Sequence, residues 1–205
     1  KELGTLGEPA LYQTSRLSPD GQLVAVSIAD PTSGQGHLWI LDVARGLRTR
    51  FTFTAAWDQN AVWSPDGERL VFGSDRSGRY NLYQKSIGGV GNEEMILSTE
   101  FNGVPCDWSQ DGRWIVVASN SPQEIKADLL VFEPSGDLKL VPIVQTPFDE
   151  VDARFSPDGR WIVYASDESG QQEVFVAPFP GPGRKWQIST AGGFLPQWRR
   201  DGKEI

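Results

Sequence analysis

The residues able to do chemistry are few. His37 is the only histidine and Cys106 the only cysteine, so a catalytic triad has one base to draw on, and no Gly-x-Ser-x-Gly segment presents a serine to it. One thiol and one imidazole cannot close a zinc cage. His37 reads as an ordinary strand or loop residue, and any peptidase chemistry belongs outside this chain. A second group is polar and mostly acidic: Asp58, Asn60, Asn102, Asp107, Asp149, Glu150 and Asp152, with Arg154 among them, stand just ahead of or within short apolar runs. Brought to one opening they create a negative potential suited to a basic peptide segment or a cation; left apart they are solvated loop residues. A third group is Asp20, Asp66, Asp111, Asp158 and Asp201, each followed by a glycine (Gly21, Gly67, Gly112, Gly159, Gly202). Calcium would need several of these carboxylates together, whereas one per turn reads as turn capping.

The elements that position these groups follow from that third group. The motif is Leu17-Ser18-Pro19-Asp20-Gly21, then Trp63-Ser64-Pro65-Asp66-Gly67, Trp108-Ser109-Gln110-Asp111-Gly112, Phe155-Ser156-Pro157-Asp158-Gly159 and Trp198-Arg199-Arg200-Asp201-Gly202. The aspartates are 46, 45, 47 and 43 residues apart, which is the signature of a repeat architecture. Proline fixes its own φ and pushes the serine before it toward extended backbone, so a strand runs up to the serine and stops. Pro, Asp and Gly at successive places suit a type I turn closed by a left-handed glycine, a common hairpin connection. The bulky residue before the serine is expected to be buried in every copy. Gln110 and Arg199-Arg200 depart from the pattern, and those two corners are expected to be less rigid.

Between corners the sequence alternates short apolar runs with turn residues. Leu23 to Ile28 has almost no polar interruption, as a strand covered on both faces should, whereas Leu47 to Thr52 alternates and carries charge, as an outermost strand should. We find no helix pattern. The loop Ser74-Asp75-Arg76-Ser77-Gly78 returns as Ser166-Asp167-Glu168-Ser169-Gly170. Gly88-Gly89-Val90-Gly91-Asn92 lacks the strand-to-helix context of a phosphate loop and reads as a connection. Four antiparallel strands per ~45 residues, buried at the start of each repeat and polar at its end, is what a β-propeller blade requires. The expected layout is all-β, with blades at 11–54, 57–99, 102–146 and 149–191, the start of a fifth at 194–205, and an outer strand of another blade at 1–7. In such a fold the acidic group of the first paragraph gathers at the mouth of a central channel.

Bulk properties narrow the partners. A net charge of −8 argues against nucleic acid and anionic membrane surfaces, and no apolar run reaches the ~18 to 20 residues of a membrane span. A protein or peptide partner is expected, a basic one if the acidic group converges. The single cysteine leaves the redox compartment open. Because the chain starts at Lys1 without a signal-peptide pattern and stops at Ile205 where a strand would begin, it reads as part of a longer protein. An unpaired blade edge at either end is then expected to promote association.

The run Val62-Trp63-Ser64-Pro65-Asp66-Gly67, Leu70-Val71-Phe72, Ser74-Asp75-Arg76-Ser77-Gly78, Asn81-Leu82-Tyr83 resembles the TolB-type propeller repeat, and its copies cover essentially the whole chain. The resemblance implies a six-bladed propeller of which four blades and part of a fifth are present. The closing stretch from Pro178 through Trp186-Gln187-Ile188 to Trp198-Arg199-Arg200-Asp201-Gly202 is similar to propellers fused behind bacterial membrane-bound serine/threonine kinases or winged-helix regulators. Similar repeats also form the non-catalytic propeller of prolyl-oligopeptidase-type serine peptidases. The resemblance therefore implies a non-catalytic sensor or scaffold module in a periplasmic or other extracytoplasmic setting, with no cofactor. The alternative it leaves is a gating propeller for a peptidase domain outside this chain.

Overall fold

A computed structural model describes residues 7–88, 91–120, 126–181 and 183–205. The strand expected at Glu2–Leu6 lies outside them, as do Gly89 and Val90 of the glycine-rich connection. The chain forms two compact units, Lys1–Ile96 and Leu97–Ile205. Among the described residues there are strands and turns and no helix.

Each unit holds two four-stranded antiparallel sheets with strands in consecutive order. In the first unit these are β1 (Leu11–Leu17), β2 (Leu23–Asp30), β3 (Gln35–Asp42) and β4 (Arg48–Arg50), then β5 (Asp58–Trp63), β6 (Arg69–Ser74), β7 (Asn81–Ser86) and β8 (Glu94–Leu97). In the second they are β9 (Asn102–Trp108), β10 (Ile115–Asn120), β11 (Ala127–Phe132) and β12 (Val141–Val144), then β13 (Glu150–Phe155), β14 (Trp161–Ser166), β15 (Glu173–Pro178) and β16 (Trp186–Gln187). Burial follows the pattern of the sequence. The second strands β6, β10 and β14 are almost wholly buried, and the last strands β4, β8, β12 and β16 are mostly exposed or half-buried; β2 departs from the expectation for Leu23 to Ile28, being buried only at Ala25, Val26 and Ser27.

The first strand of each sheet ends at a corner with one hydrogen-bond plan. At Ser156 the hydroxyl donates to Asp158 Oδ1 at 2.6 Å and accepts the Trp161 N–H at 3.0 Å, while the same Oδ1 accepts the Arg160 N–H at 3.1 Å. Ser18, Ser64 and Ser109 make the same contacts. The plan is unchanged where Gln110 replaces proline. The glycine that closes each corner has φ between 67° and 76°, a region L side chains avoid. At the fifth corner Arg199 stands in place of serine, and its guanidinium grips both oxygens of Asp201 at 2.8 and 2.6 Å.

Within each unit the two sheets share one apolar cluster. β5 packs across β1, β2 and β3, and β13 packs across β9, β10 and β11. Trp63, Leu70, Phe72 and Tyr83 meet Ala25, Leu38 and Phe51 in the first unit; Phe155, Ile162, Tyr164 and Phe175 meet Val116, Leu129 and Val131 in the second. Trp63 also donates its indole N–H to the Arg16 carbonyl at 2.9 Å, and Trp198 donates to the Arg154 carbonyl at 3.2 Å. Phe194–Trp198 and the corner after it therefore lie against β13, without a ladder of their own among the described residues.

One expectation is corrected here. Leu17, expected to be buried, is 61% exposed, against 7% for Trp63 and 6% for Phe155, and Trp198 is only half-buried. The cause is packing rather than residue type. Trp63 and Phe155 are covered by the sheet that precedes theirs, and no described sheet precedes β1.

Two outcomes follow. Trp63→Ala should cost about 3 to 5 kcal/mol in urea denaturation, and Leu17→Ala within about 0.5 kcal/mol; equal costs would contradict the packing. At the corners, the Ser156 hydroxyl and then the Arg160 N–H hold Asp158 down to about 2 from 3.8. The folded value lies below the unfolded one, so this stabilisation is present above about pH 4 and is lost as pH falls through about 2. The melting-temperature gap between the native chain and Asp158→Asn should close over that window.

Candidate functional site

The first strand of every sheet carries a bulge, and several candidate residues sit on it. In β5 the pairing runs Gln59 with Gly73 and then Val62 with Val71; in β13 it runs Val151 with Ala165 and then Arg154 with Val163. β1 slips between Tyr12 and Thr14, and the pairing of β10 with β9 slips between Val116 and Val117. Such bulges add twist and re-aim side chains. Asn60 (φ 52°) and Asp152 (φ 57°) occupy the left-handed region at the same place, three residues before Trp63 and Phe155. Asn and Asp tolerate this backbone better than most residues because their short polar side chains bond locally. Leu195 (φ 50°) holds the equivalent place before Trp198.

The candidates separate into a half-buried group and a buried one. Asn60, Asn102, Asp107, Asp149 and Asp152 are half-buried. Asp107 Oδ2 accepts the Phe155 N–H at 2.9 Å, tying β9 to β13. Asp149 Oδ1 accepts the Ala127 N–H at 2.8 Å, and Asp152 Oδ2 accepts the Leu195 N–H at 3.3 Å. The Asn102 carbonyl accepts the Ser119 hydroxyl at 3.2 Å.

Asp58, Glu150 and Arg154 differ from the expected loop residues at an opening: all three are strand residues with buried side chains. Asp58 accepts from the Thr54 hydroxyl at 3.3 Å and pairs with Arg76 at 3.2 Å; Arg76 in turn pairs with Glu93 at 2.6 Å and lies over the Tyr83 ring at 4.1 Å. Glu150 takes the Thr146 and Ser166 hydroxyls on Oε1, leaves Oε2 without a partner among the described residues, and is pushed up by burial. Arg154, 5% exposed, donates from one terminal nitrogen to the carbonyls of Cys106 and Ala153, each at 2.6 Å. Its Nε and other terminal nitrogen find no partner among the described residues. These groups are held inside by tertiary partners that no local pattern announces.

The residue pattern alone gives Asp75, Asp167 and Glu173 no role. Asp75 accepts the Trp57 N–H at 2.8 Å and Asp167 the Asp149 N–H at 2.9 Å. The repeated Ser-Asp-x-Ser-Gly loop was the available signal, since it returns an acceptor to the entry of the first strand. Glu173 is buried and gripped by the Ser189 hydroxyl, the Gly192 N–H and Gln171. His37 lies buried on β3, where burial first and the Arg50 charge second lower its pKa. Cys106 is a buried thiol outside any disulfide. Among the described residues no three His, Cys, Asp or Glu side chains converge as a metal site.

Bulged first strands, corners of one design and consecutive four-stranded antiparallel sheets define propeller blades. A family model for the TolB beta propeller domain matches residues 8–137, and the chain belongs to that family. The Tol-Pal system protein TolB of Francisella tularensis is 31% identical over 106 residues, covering 51% of this chain and 24% of that protein. The chain spans 19% to 24% of the curated TolB proteins it matches. The crystal structure of TolB from Acinetobacter baumannii superposes with a TM-score of 0.75 at 22% identity, covering 88% of this chain and 43% of that one. A puromycin-hydrolyzing peptidase of Mycobacterium tuberculosis gives 0.66 at 19% identity, covering 96% and 31%. These two likenesses speak to the fold.

Glu150 makes a pH test. Its folded pKa is raised, so both states are protonated below the unfolded value near 4.5, and stability falls as pH rises above it. Glu150→Gln should leave the melting temperature unchanged below about pH 4 and raise it at pH 7 relative to the native chain. A variant less stable at both pH values would contradict this account.

Proposed function

We propose that this chain is a non-catalytic recognition module, the sensor or scaffold part of a larger bacterial protein, which binds a protein or peptide segment through the first strands of the blades of its second unit, β9 and β13. The observation that carries the reading is the bulge shared by those strands. It sets Asp152, like Asn60 in β5, in left-handed backbone with a half-exposed polar side chain, a strained arrangement of the kind kept where a side chain must be aimed. Asp107, Asp149 and Asp152 add negative charge on the same strands or at their entries. A segment carrying Lys or Arg is the partner that charge would steer. Family membership supports a role in protein association, since curated relatives are named for the Tol-Pal system.

A second reading has its own support in the peptidase likeness: a propeller that filters substrates for a serine peptidase domain. A Gly-x-Ser-x-Gly segment in the reading frame beyond Ile205 would favour it, and a kinase domain or membrane span ahead of Lys1 would favour the first.

The double variant Asp149→Asn with Asp152→Asn removes two charges and keeps both acceptors. We expect it to weaken binding of a fluorescein-labelled Lys/Arg-containing peptide about tenfold, with the melting temperature unmoved. Unchanged affinity would remove the acidic strands as the site, and cleavage of the peptide by the native chain would overturn the non-catalytic reading.

A further inference from the structure

Away from the first strands, the second unit has a groove of about 450 Å³ between β12 and the turn that follows β15. Its floor includes Trp114 and Ile162; Pro142 and Ile143 of β12 form one wall and Pro178 to Gly181 the other. The walls are fixed in place. Phe179 is buried, donates its N–H to the Arg160 carbonyl at 2.8 Å, and meets Trp114 edge-on at 5.9 Å and Phe155 at 4.9 Å. The turn folds back so closely that a Cβ on Gly183 would come within 2.5 Å of the Pro178 ring.

Two properties select what fits. None of the thirteen described residues lining the groove is charged, in a chain of net charge −8, and Arg113, which lies over the Trp114 ring at 4.9 Å, is paired with Glu133, so the lining offers a charged segment little to replace its hydration. The rims are also poor in backbone donors, because Pro142 interrupts the edge of β12 and Pro178 and Pro180 interrupt the opposite wall. A ligand strand needs a ladder of such donors to pair with an edge. A polyproline-II segment needs no ladder. It presents apolar rings without N–H groups, keeps its carbonyls toward water, and docks on aromatic-lined grooves. It profits from a single side-chain donor, and Trp114, which lines the groove, has an indole N–H that makes no hydrogen bond among the described residues.

We infer that this groove binds an uncharged, proline-rich segment of a partner protein in polyproline-II conformation, with Trp114 as its hydrogen-bond donor. The surface is separate from the acidic strands and stands or falls without them.

The test is fluorescence anisotropy on the whole chain with three fluorescein-labelled peptides of equal length: one built of Pro-Leu-Pro-Pro units, one alternating Thr and Val, and one of Gly and Ser. The proline peptide should bind saturably and the Gly-Ser peptide should not. Ile143→Lys, which sets a charge in the wall, should weaken binding about tenfold or more. Trp114→Phe, which keeps an aromatic surface and removes the donor, should weaken it about threefold to tenfold. Ala177→Met, which fills the groove, should act like Ile143→Lys and keeps the test decisive if the lysine variant melts early. Tighter binding of the Thr-Val peptide, no saturable binding of the proline peptide, indifference to Ala177→Met, or self-association of the native chain that Ala177→Met abolishes would each overturn the inference.

Discussion

A serine hydroxyl shared between an aspartate oxygen and a backbone N–H five residues on is the interaction from which the rest of this chain follows. It pins the corner after each first strand, and the left-handed glycine beside it lets the second strand return in register. With the corner fixed, Trp63 and Phe155, each just before its serine, go onto the face of the sheet that precedes theirs in the same unit, while Trp108 gives its indole N–H to the Gly112 carbonyl of its own corner. The indole of Trp63 bonding to the Arg16 carbonyl, and that of Trp198 to the Arg154 carbonyl, are the same contact made twice. A local turn thereby sets a long-range packing geometry, which is how a repeat of modest size builds sheets that cannot bury their faces alone.

That division between local and distant causes explains what could be read from the residues. The corners, the strand order and the outermost polar strands depend on neighbours within a few positions, and Ser64-Pro65-Asp66-Gly67 or Leu70-Val71-Phe72 announce them directly. Leu17 was misjudged because its burial depends on a sheet before it and not on its own type. Asp58 and Glu150 were placed at an opening because carboxylates favour water, and nothing local says that Arg76 waits eighteen residues on, or that Thr54 and Thr146 reach back from four residues earlier. Asn60 and Asp152 were picked out for their charge or polarity. Their left-handed backbone, the more informative property, follows from the pairing with the second strand.

The two units solve the same problem with different charges. At the entry of β5, Asp58 is neutralised by Arg76, itself shared with Glu93 and stacked on Tyr83. At the entry of β13, Glu150 has hydroxyl donors only, while Glu168, the counterpart of Arg76, turns to Lys185 instead. Burying an acid without a cation favours its neutral form, so one repeat is fixed by an ion pair and the other by hydroxyl groups. Strands that look alike in outline can thus differ in how they respond to acidity and salt.

Cys106 gives this chain a built-in gauge of its own breathing. The one thiol sits in the apolar cluster beside the contact that Arg154 makes with the Cys106 carbonyl, so a small alkylating reagent reaches it when the packing around β9 opens. The labelling rate then reports how often that seam opens, with no engineered probe and no second thiol to confuse the signal.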